Sequence, residues 1–201
     1  MMRNHFIVAV LLGVSLVAFA EEPTRSPAAL LGELKAECVQ PTAPGKPVWT
    51  SYLSETERIR WRIMGDLGKQ KDVALPMIRE EKGKADGDYQ QMLTVCLAAL
   101  GDADAIADTT NLLLNAKAPA VRVCAAKALR DARDKKSIPA LQAAMRDPHS
   151  REDGSCVTVG DGKCHPVRIV AGDALGTLGF TREQINGLEK DGAQQGGGHV
   201  R

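Results

Sequence analysis

At 201 residues the chain has room for one or two domains. Only 3% of it is aromatic, so a core must be built from Ala, Leu, Ile and Val, which suit closely packed helices better than sandwiches or large ligand cavities. A formal charge of +1 gives no long-range pull on nucleic acid or anionic lipid, and neither is expected as a partner.

Residues 1–20 read as a secretory signal peptide. Arg3 supplies the basic start, residues 6–18 (FIVAVLLGVSLVA) the apolar run, and Ala18-Phe19-Ala20 the small-x-small cleavage pattern. The run is short for a membrane span of roughly 20 residues, so no membrane attachment is expected once it is cut. Cleavage would start the mature chain at Glu21 and remove Arg3, leaving 25 basic against 25 acidic residues. The expected location is a periplasm or the outside of the cell, where disulfides form and persist.

Residues 21–48 combine a helix with a Pro-rich linker. Ser26-Pro27 suits a helix start, with Ser capping and Pro in the first turn. Leu30, Leu31 and Leu34 share one side, and Pro41, Pro44, Gly45 and Pro47 then stiffen the chain. The pattern fits both an end cap on a larger stack and a loosely attached arm.

Residues 49–190 carry four amphipathic hairpins. In the first, Ser54 and Glu57 have the spacing of a capping box. Ile59, Ile63, Met64 and Leu67 form its stripe, and Gly68 is expected to close the helix in a left-handed conformation. The return helix holds Val73, Leu75, Met77 and Ile78, with Pro76 expected in its first turn. The second hairpin shows Tyr89, Met92, Leu93, Cys96, Leu97 and Leu100, a Gly101-Asp102 turn, then Ile106, Leu112, Leu113 and Leu114. The third is the most regular. Val121, Cys124, Ala125, Ala128, Leu129 and Ala132 follow the i, i+3, i+4, i+7, i+8, i+11 series of one helix face, and Ile138, Leu141 and Met145 follow a charged turn. The fourth has Val167, Val170, Ala171, Ala174, Leu175 and Leu178, a turn at Gly179, and a return helix capped by Thr181 and Gln184 that carries Ile185 and Leu188. Residues 191–201 have no apolar stripe and are expected to be a disordered tail.

Met64, Leu97, Leu129 and Leu175 occupy one column, at separations of 33, 32 and 46 residues. That is a fixed period with one insertion of about 14 residues, the signature of a helical solenoid. The expected fold is all-α: a right-handed α-solenoid of about four helical hairpins. The units resemble HEAT repeats, in particular the short phycobilisome-lyase-like type. The residues that carry the resemblance are Val121-Arg122 and Val167-Arg168 before small residues, Leu100-Gly101-Asp102, and Ile138-Pro139-Ala140-Leu141. The first unit departs from the pattern where Thr56 and Arg60 interrupt its stripe, and the second where Ala107 replaces the helix-opening Pro. Such repeats serve many tasks, so the resemblance implies a fold more than an activity.

The insertion, within residues 151–164, brackets a β-prone Val157-Thr158-Val159 and a Gly160-Asp161-Gly162 turn between Cys156 and Cys164. The simplest reading is a small loop closed by a Cys156–Cys164 disulfide, which would stabilise it by about 2–3 kcal/mol. A metal site is the sharper alternative, because His149, Asp153, Cys156, Asp161, Cys164 and His165 crowd the same stretch. It lacks the paired ligands two to four residues apart that zinc sites show. Cys96 and Cys124 fall on apolar stripes as small hydrophobes. Cys38 is unassigned and could pair with either, pinning the N-terminal helix to the stack.

No nucleophile elbow, phosphate loop or His-Glu-x-x-His motif is present in the sequence. No cofactor is expected, and the favoured reading is a monomeric, non-catalytic scaffold for a protein or peptide partner. Return helices of a solenoid line an extended concave face, and here they offer Arg79, Asp108, Asn111, Gln142 and Arg146; Asp153 and Asp161 extend the candidates into the loop. Arg122 and Arg168 recur one column after each Val and are expected to join neighbouring units through Asp131, Asp134 or Asp173. A lyase-like or metal-dependent enzyme using the insertion is the alternative.

Overall fold

A computed structural model describes residues 25–39, 53–150 and 163–196. The expected signal peptide, the Pro-rich linker, the loop with Asp153, Cys156 and Asp161, and the last five residues of the expected tail lie outside them. Among the described residues the elements are α1 (Pro27–Val39), α2 (Glu55–Gly68), α3 (Lys71–Lys82), α4 (Gly87–Ala99), α5 (Ala103–Asn115), α6 (Pro119–Ala132), a 3-10 turn at Lys135–Ser137, α7 (Ile138–Ala144), α8 (Pro166–Thr177) and α9 (Arg182–Gly196).

The helices start where side chains satisfy free backbone N–H groups. Ser26 Oγ accepts from the Ala29 N–H at 3.3 Å. Ser54 and Glu57 form the reciprocal box, with Ser54 N donating to Glu57 Oε2 at 2.7 Å. Asp102 accepts from Ala105 N, and Thr181 and Gln184 cap each other. Pro opens α6 and α8, where the missing N–H has no helical acceptor to lose.

The stops carry the repeat. Gly101 (φ 82°), Arg133 (φ 53°) and Gly179 (φ 101°) take the left-handed conformation at the ends of α4, α6 and α8, at the same separations as the leucine column. The Asp102 N–H bonds to Leu97 O and the Phe180 N–H to Leu175 O, so two turns close identically on column residues. Arg133 holds this conformation without glycine's freedom.

The first unit departs from this. Gly68 is not left-handed; α2 runs through it into a right-handed Lys69 cap. Lys69 pairs with Asp66 and Gln70 donates to Arg25 O, tying the turn down. The Gln70 carbonyl then accepts from Val73 and Ala74, starting α3 at once. Pro76 therefore lies inside α3 rather than in its first turn, where its missing N–H removes one helical hydrogen bond.

In the central stack α4 packs on α5 and α6, α6 on α8, and α7 on α5 and α8. Ala125, Ala126, Ala128 and Leu129 of α6 are all fully buried, as are Val170, Ala171, Ala174 and Leu175 of α8. Small side chains let these helices approach closely, as the aromatic-poor composition requires.

α1 resolves an alternative the sequence left open. Leu30 and Leu34 are fully buried, and the helix packs on α2, α3 and α4 as part of the stack. α2 reaches past its neighbour to α6 of the third hairpin. There Lys127 Nζ lies 5.3 Å and the Arg130 guanidinium 5.8 Å from the Trp61 ring. In a regular solenoid each unit touches only its neighbours. Because Thr56 and Arg60 interrupt α2's apolar stripe, α1 supplies leucines in its place. At the other end α9 continues to Gly196, into the stretch after 190 that was expected to be a disordered tail for want of an apolar stripe. Ile185 seats α9 on Gly172, where an added Cβ would come within 3.3 Å of it.

Candidate functional site: the base of the inserted loop

Both ends of the insertion are held by one polar clasp built on Asp147, just beyond α7. Arg122, at the start of α6, donates from Nε to Asp147 Oδ2 at 2.7 Å and from Nη2 to Oδ1 at 3.1 Å. The same guanidinium donates from Nη1 to Ala116 O at 2.8 Å. Asp147 Oδ1 also accepts from the His149 N–H at 2.9 Å. From beyond the loop, Arg168 Nε donates to the Asp147 carbonyl at 2.7 Å. His165 Nδ1 lies 3.1 Å from the His149 carbonyl, to which that nitrogen donates when protonated. Side-chain exposures of 11% for Arg122 and 8% for Asp147 make this a largely desolvated, two-pronged ion pair, stronger than a surface one.

The expected repeat-to-repeat ion pairs do not form: Arg122 pairs with Asp147 inside its own hairpin and reaches the second through the Ala116 carbonyl, while Arg168 reaches the third through the Asp147 backbone carbonyl. Asp131 pairs with Lys127 and Arg130, Asp173 with Arg130, and Asp134 caps the 3-10 turn. The reason is position along the hairpin. Arg122 and Arg168 sit in the first turns of α6 and α8, whereas Asp131 and Asp134 lie at the far end of the unit. Asp147, at the C-terminal end of α7, is at the arginines' end. Two arginines in one repeat column with an acid between them in the chain was the available signal.

The return-helix candidates divide. Arg79 donates from Nε and Nη2 to Asp102 Oδ2, at 3.0 and 2.6 Å, tying α3 to the cap of α5. Asp108 accepts from Lys82 at 3.4 Å, and Asn111 from Asn115 at 2.6 Å. The Asp102 carboxyl is held below the usual carboxylate range, first by the Ala105 N–H and then by Arg79. Gln142 is half-buried and Arg146 exposed. The structure therefore commits Arg79, Asp108 and Asn111 to contacts within the chain. Asp153 and Asp161 lie outside the described residues.

Cys164 is 2% exposed and is not among the free thiols of the described residues, which are Cys38, Cys96 and Cys124; Cys156 is not described. Among the described residues no group of three or more His, Cys, Asp or Glu is placed to hold a metal ion, and no helix is long and apolar enough to cross a membrane.

A family model of HEAT repeats matches residues 75–154. This stretch of the chain is made of HEAT repeats. The matched span runs from within α3 through α7 and includes Arg122 and Asp147, while α8 with Arg168 lies beyond it. α1 and α2, which depart from the repeat geometry, fall outside it. No curated protein and no solved structure matches the chain.

Proposed function

We propose that this HEAT-repeat protein is an exported, non-catalytic scaffold that binds a protein or peptide partner. The loop at 151–164 is its principal contact, and the return helices α3, α5 and α7 form a secondary face. The observation that carries this reading is the clasp. Asp147 ties the chain entering the insertion to α6 and α8, so whatever the loop presents is presented from a rigid base, at low entropic cost on binding. On the return helices Arg79, Asp108 and Asn111 already have partners, which favours the loop over the face. HEAT repeats commonly serve as interaction scaffolds, and near-neutral charge fits a mixed polar partner rather than nucleic acid or lipid.

A Cys156–Cys164 disulfide completes the proposal, supported by a buried Cys164 that is not a free thiol. Export supplies the oxidising surroundings it needs. N-terminal sequencing of the mature protein should read from Glu21; a chain beginning at Met1 would remove the export claim. For binding, affinity capture from the native cell envelope should be run in parallel with three baits: the full chain, a chain with residues 152–163 replaced by a short Gly-Ser link, and an Arg79→Ala/Arg146→Ala double variant. Loss of the captured partner only with the loop replacement is expected. Loss only with the face variant would move the site to the return helices, and identical capture by all three would end the proposal.

A further inference from the structure

Helices α1, α3 and α4 enclose a groove that the scaffold role does not use. Its volume is about 290 Å³, near the lower end for small-ligand pockets. Ala28 and Leu31 of α1, Met77 of α3 and the Tyr89 ring of α4 give it apolar walls, and Lys35, Glu80 and Glu81 supply its charges. Gly32, in the middle of α1, lines it as well. A Cβ added at Gly32 would meet no atom within 4 Å, so packing does not require glycine at a position where it weakens a helix relative to alanine. The missing side chain leaves the groove open.

The charge that suits this groove is already marked by Lys35. Its Nζ lies 5.6 Å from the Tyr89 ring centre and 3.7 Å from Glu81 Oε1, so one ammonium is shared between a π face and a carboxylate. The ring is a fixed platform. Its hydroxyl donates to the Leu31 carbonyl at 3.4 Å, and burial, with the Glu81 charge adding to it, pushes the phenol up and keeps the ring neutral. Glu80 is engaged elsewhere, with Lys84 at 2.5 Å holding its carboxyl below the usual range. The Lys35–Glu81 contact is longer, and the Lys35 side chain is 59% exposed. An exposed pair of that kind is weak, so Lys35 is displaceable. An anion would instead draw Lys35 off both the ring and Glu81, and would leave that carboxylate facing like charge.

We propose that the groove binds a small organic cation, an alkylammonium or alkylguanidinium, and that Lys35 is the internal occupant it displaces. The apolar body of the ligand packs on Ala28, Leu31 and Met77, and its charged end takes the place of the Lys35 ammonium at Tyr89 and Glu81. The site is separate from the inserted loop, whose base is held from α6 and α8.

The test is an NMR titration of the isotope-labelled full chain with n-butylguanidinium chloride at constant ionic strength. Butanol and butyrate serve as the neutral and anionic counterparts. The expected result is saturable shifts centred on Gly32, Met77 and Tyr89 with the cation, and no saturation over the same range with the other two. Gly32→Leu fills the groove with a better helix former, so it should melt no lower than wild type and lose the cation. Lys35→Ala removes the competitor and should tighten binding about two- to fivefold, the worth of an exposed cation–π or ion-pair contact. Glu81→Gln should weaken it by a similar factor. Absence of saturable binding, butanol or butyrate binding as well as the cation, or binding retained by Gly32→Leu would overturn the proposal. So would a Lys35→Ala variant that binds no more tightly than wild type, or a Glu81→Gln variant that binds no more weakly.

Discussion

The third hairpin and the first occupy equivalent places in the repeat and are built on different principles. In α6 seven residues are buried, each of them Val, Cys, Ala or Leu, and the hairpin touches its neighbours through small apolar side chains. In α2 the buried set is Glu57, Arg60, Ile63, Met64 and Leu67, and Arg60 is 2% exposed with Nε and Nη1 lacking hydrogen-bond partners. Helix α6 ends in a left-handed residue in the repeat's register; α2 does not. A solenoid tolerates this at its end, because one unit has no predecessor to match and a separate helix, α1, is available to fill the face. Repeat regularity is thus a requirement of having neighbours on both sides.

The largest effect that would sharpen this contrast is a truncation in the regular part. Leu129→Ala removes a fully buried side chain flanked on both sides by packed helices, and should cost about 3–4 kcal/mol of global stability by urea denaturation. Leu34→Ala in α1 removes an equally buried side chain. It should cost less, about 2 kcal/mol, and show itself mainly as faster amide exchange confined to α1. Equal global losses from the two would erase the distinction between the centre of the stack and its end helix.

Next comes the clasp. Asp147→Ala leaves Arg122 at 11% side-chain exposure without its carboxylate and should cost about 2–3 kcal/mol. Crosslinking between the segments at 147–150 and 163–168 would fall with it. A loss below a few tenths would show that Ala116 O alone satisfies Arg122.

Much of the regular region was legible in advance. Column residues, caps at Ser26, Ser54 and Thr181, and glycine turns at 101 and 179 are local features, each set by a few neighbouring residues. What was not legible depended on contacts far apart in the chain. Gly68 looked like the other turn glycines but is overruled by Gln70 bonding to Arg25, and the docking of α1 follows from a gap in α2's stripe that only three dimensions reveal. Asp147 was missed for a related reason. Ion-pair partners for Arg122 and Arg168 were sought among acids along the unit rather than at the end of the hairpin where both arginines start. Of the candidate binding residues, chemistry identified polar positions correctly but could not show that Arg79 and Asp108 were already engaged.

Arg60 tests the first hairpin with the opposite sign. Replacing a buried guanidinium with two unpartnered nitrogens by an apolar side chain of similar length removes a desolvation cost. Arg60→Met should therefore be neutral or gain about 1 kcal/mol, whereas any buried apolar residue of α6 loses stability on substitution. A loss of 3 kcal/mol or more, on the order of a broken buried ion pair, would mean that Arg60 holds α1 and α2 together.

The smallest expected effect is at Asp102, where a cap and the Arg79 bridge coincide. Asp102→Ala should cost about 1 kcal/mol. Because the folded state holds this carboxyl below its ordinary value of 3.8, its contribution is complete above that pH and lost as pH falls through the lower folded value. Wild type and Asp102→Ala should differ by a constant amount near neutrality and converge in acid; divergence at low pH would contradict the assignment.

The central claim is that the chain presents its inserted loop from a rigid repeat stack. Hydrogen–deuterium exchange of the full chain, with and without the partner recovered by capture, tests it most directly. Protection confined to residues 147–168, with α3, α5 and α7 unchanged, is the predicted result. Protection running along α3, α5 and α7 while 147–168 exchanges as before would contradict it.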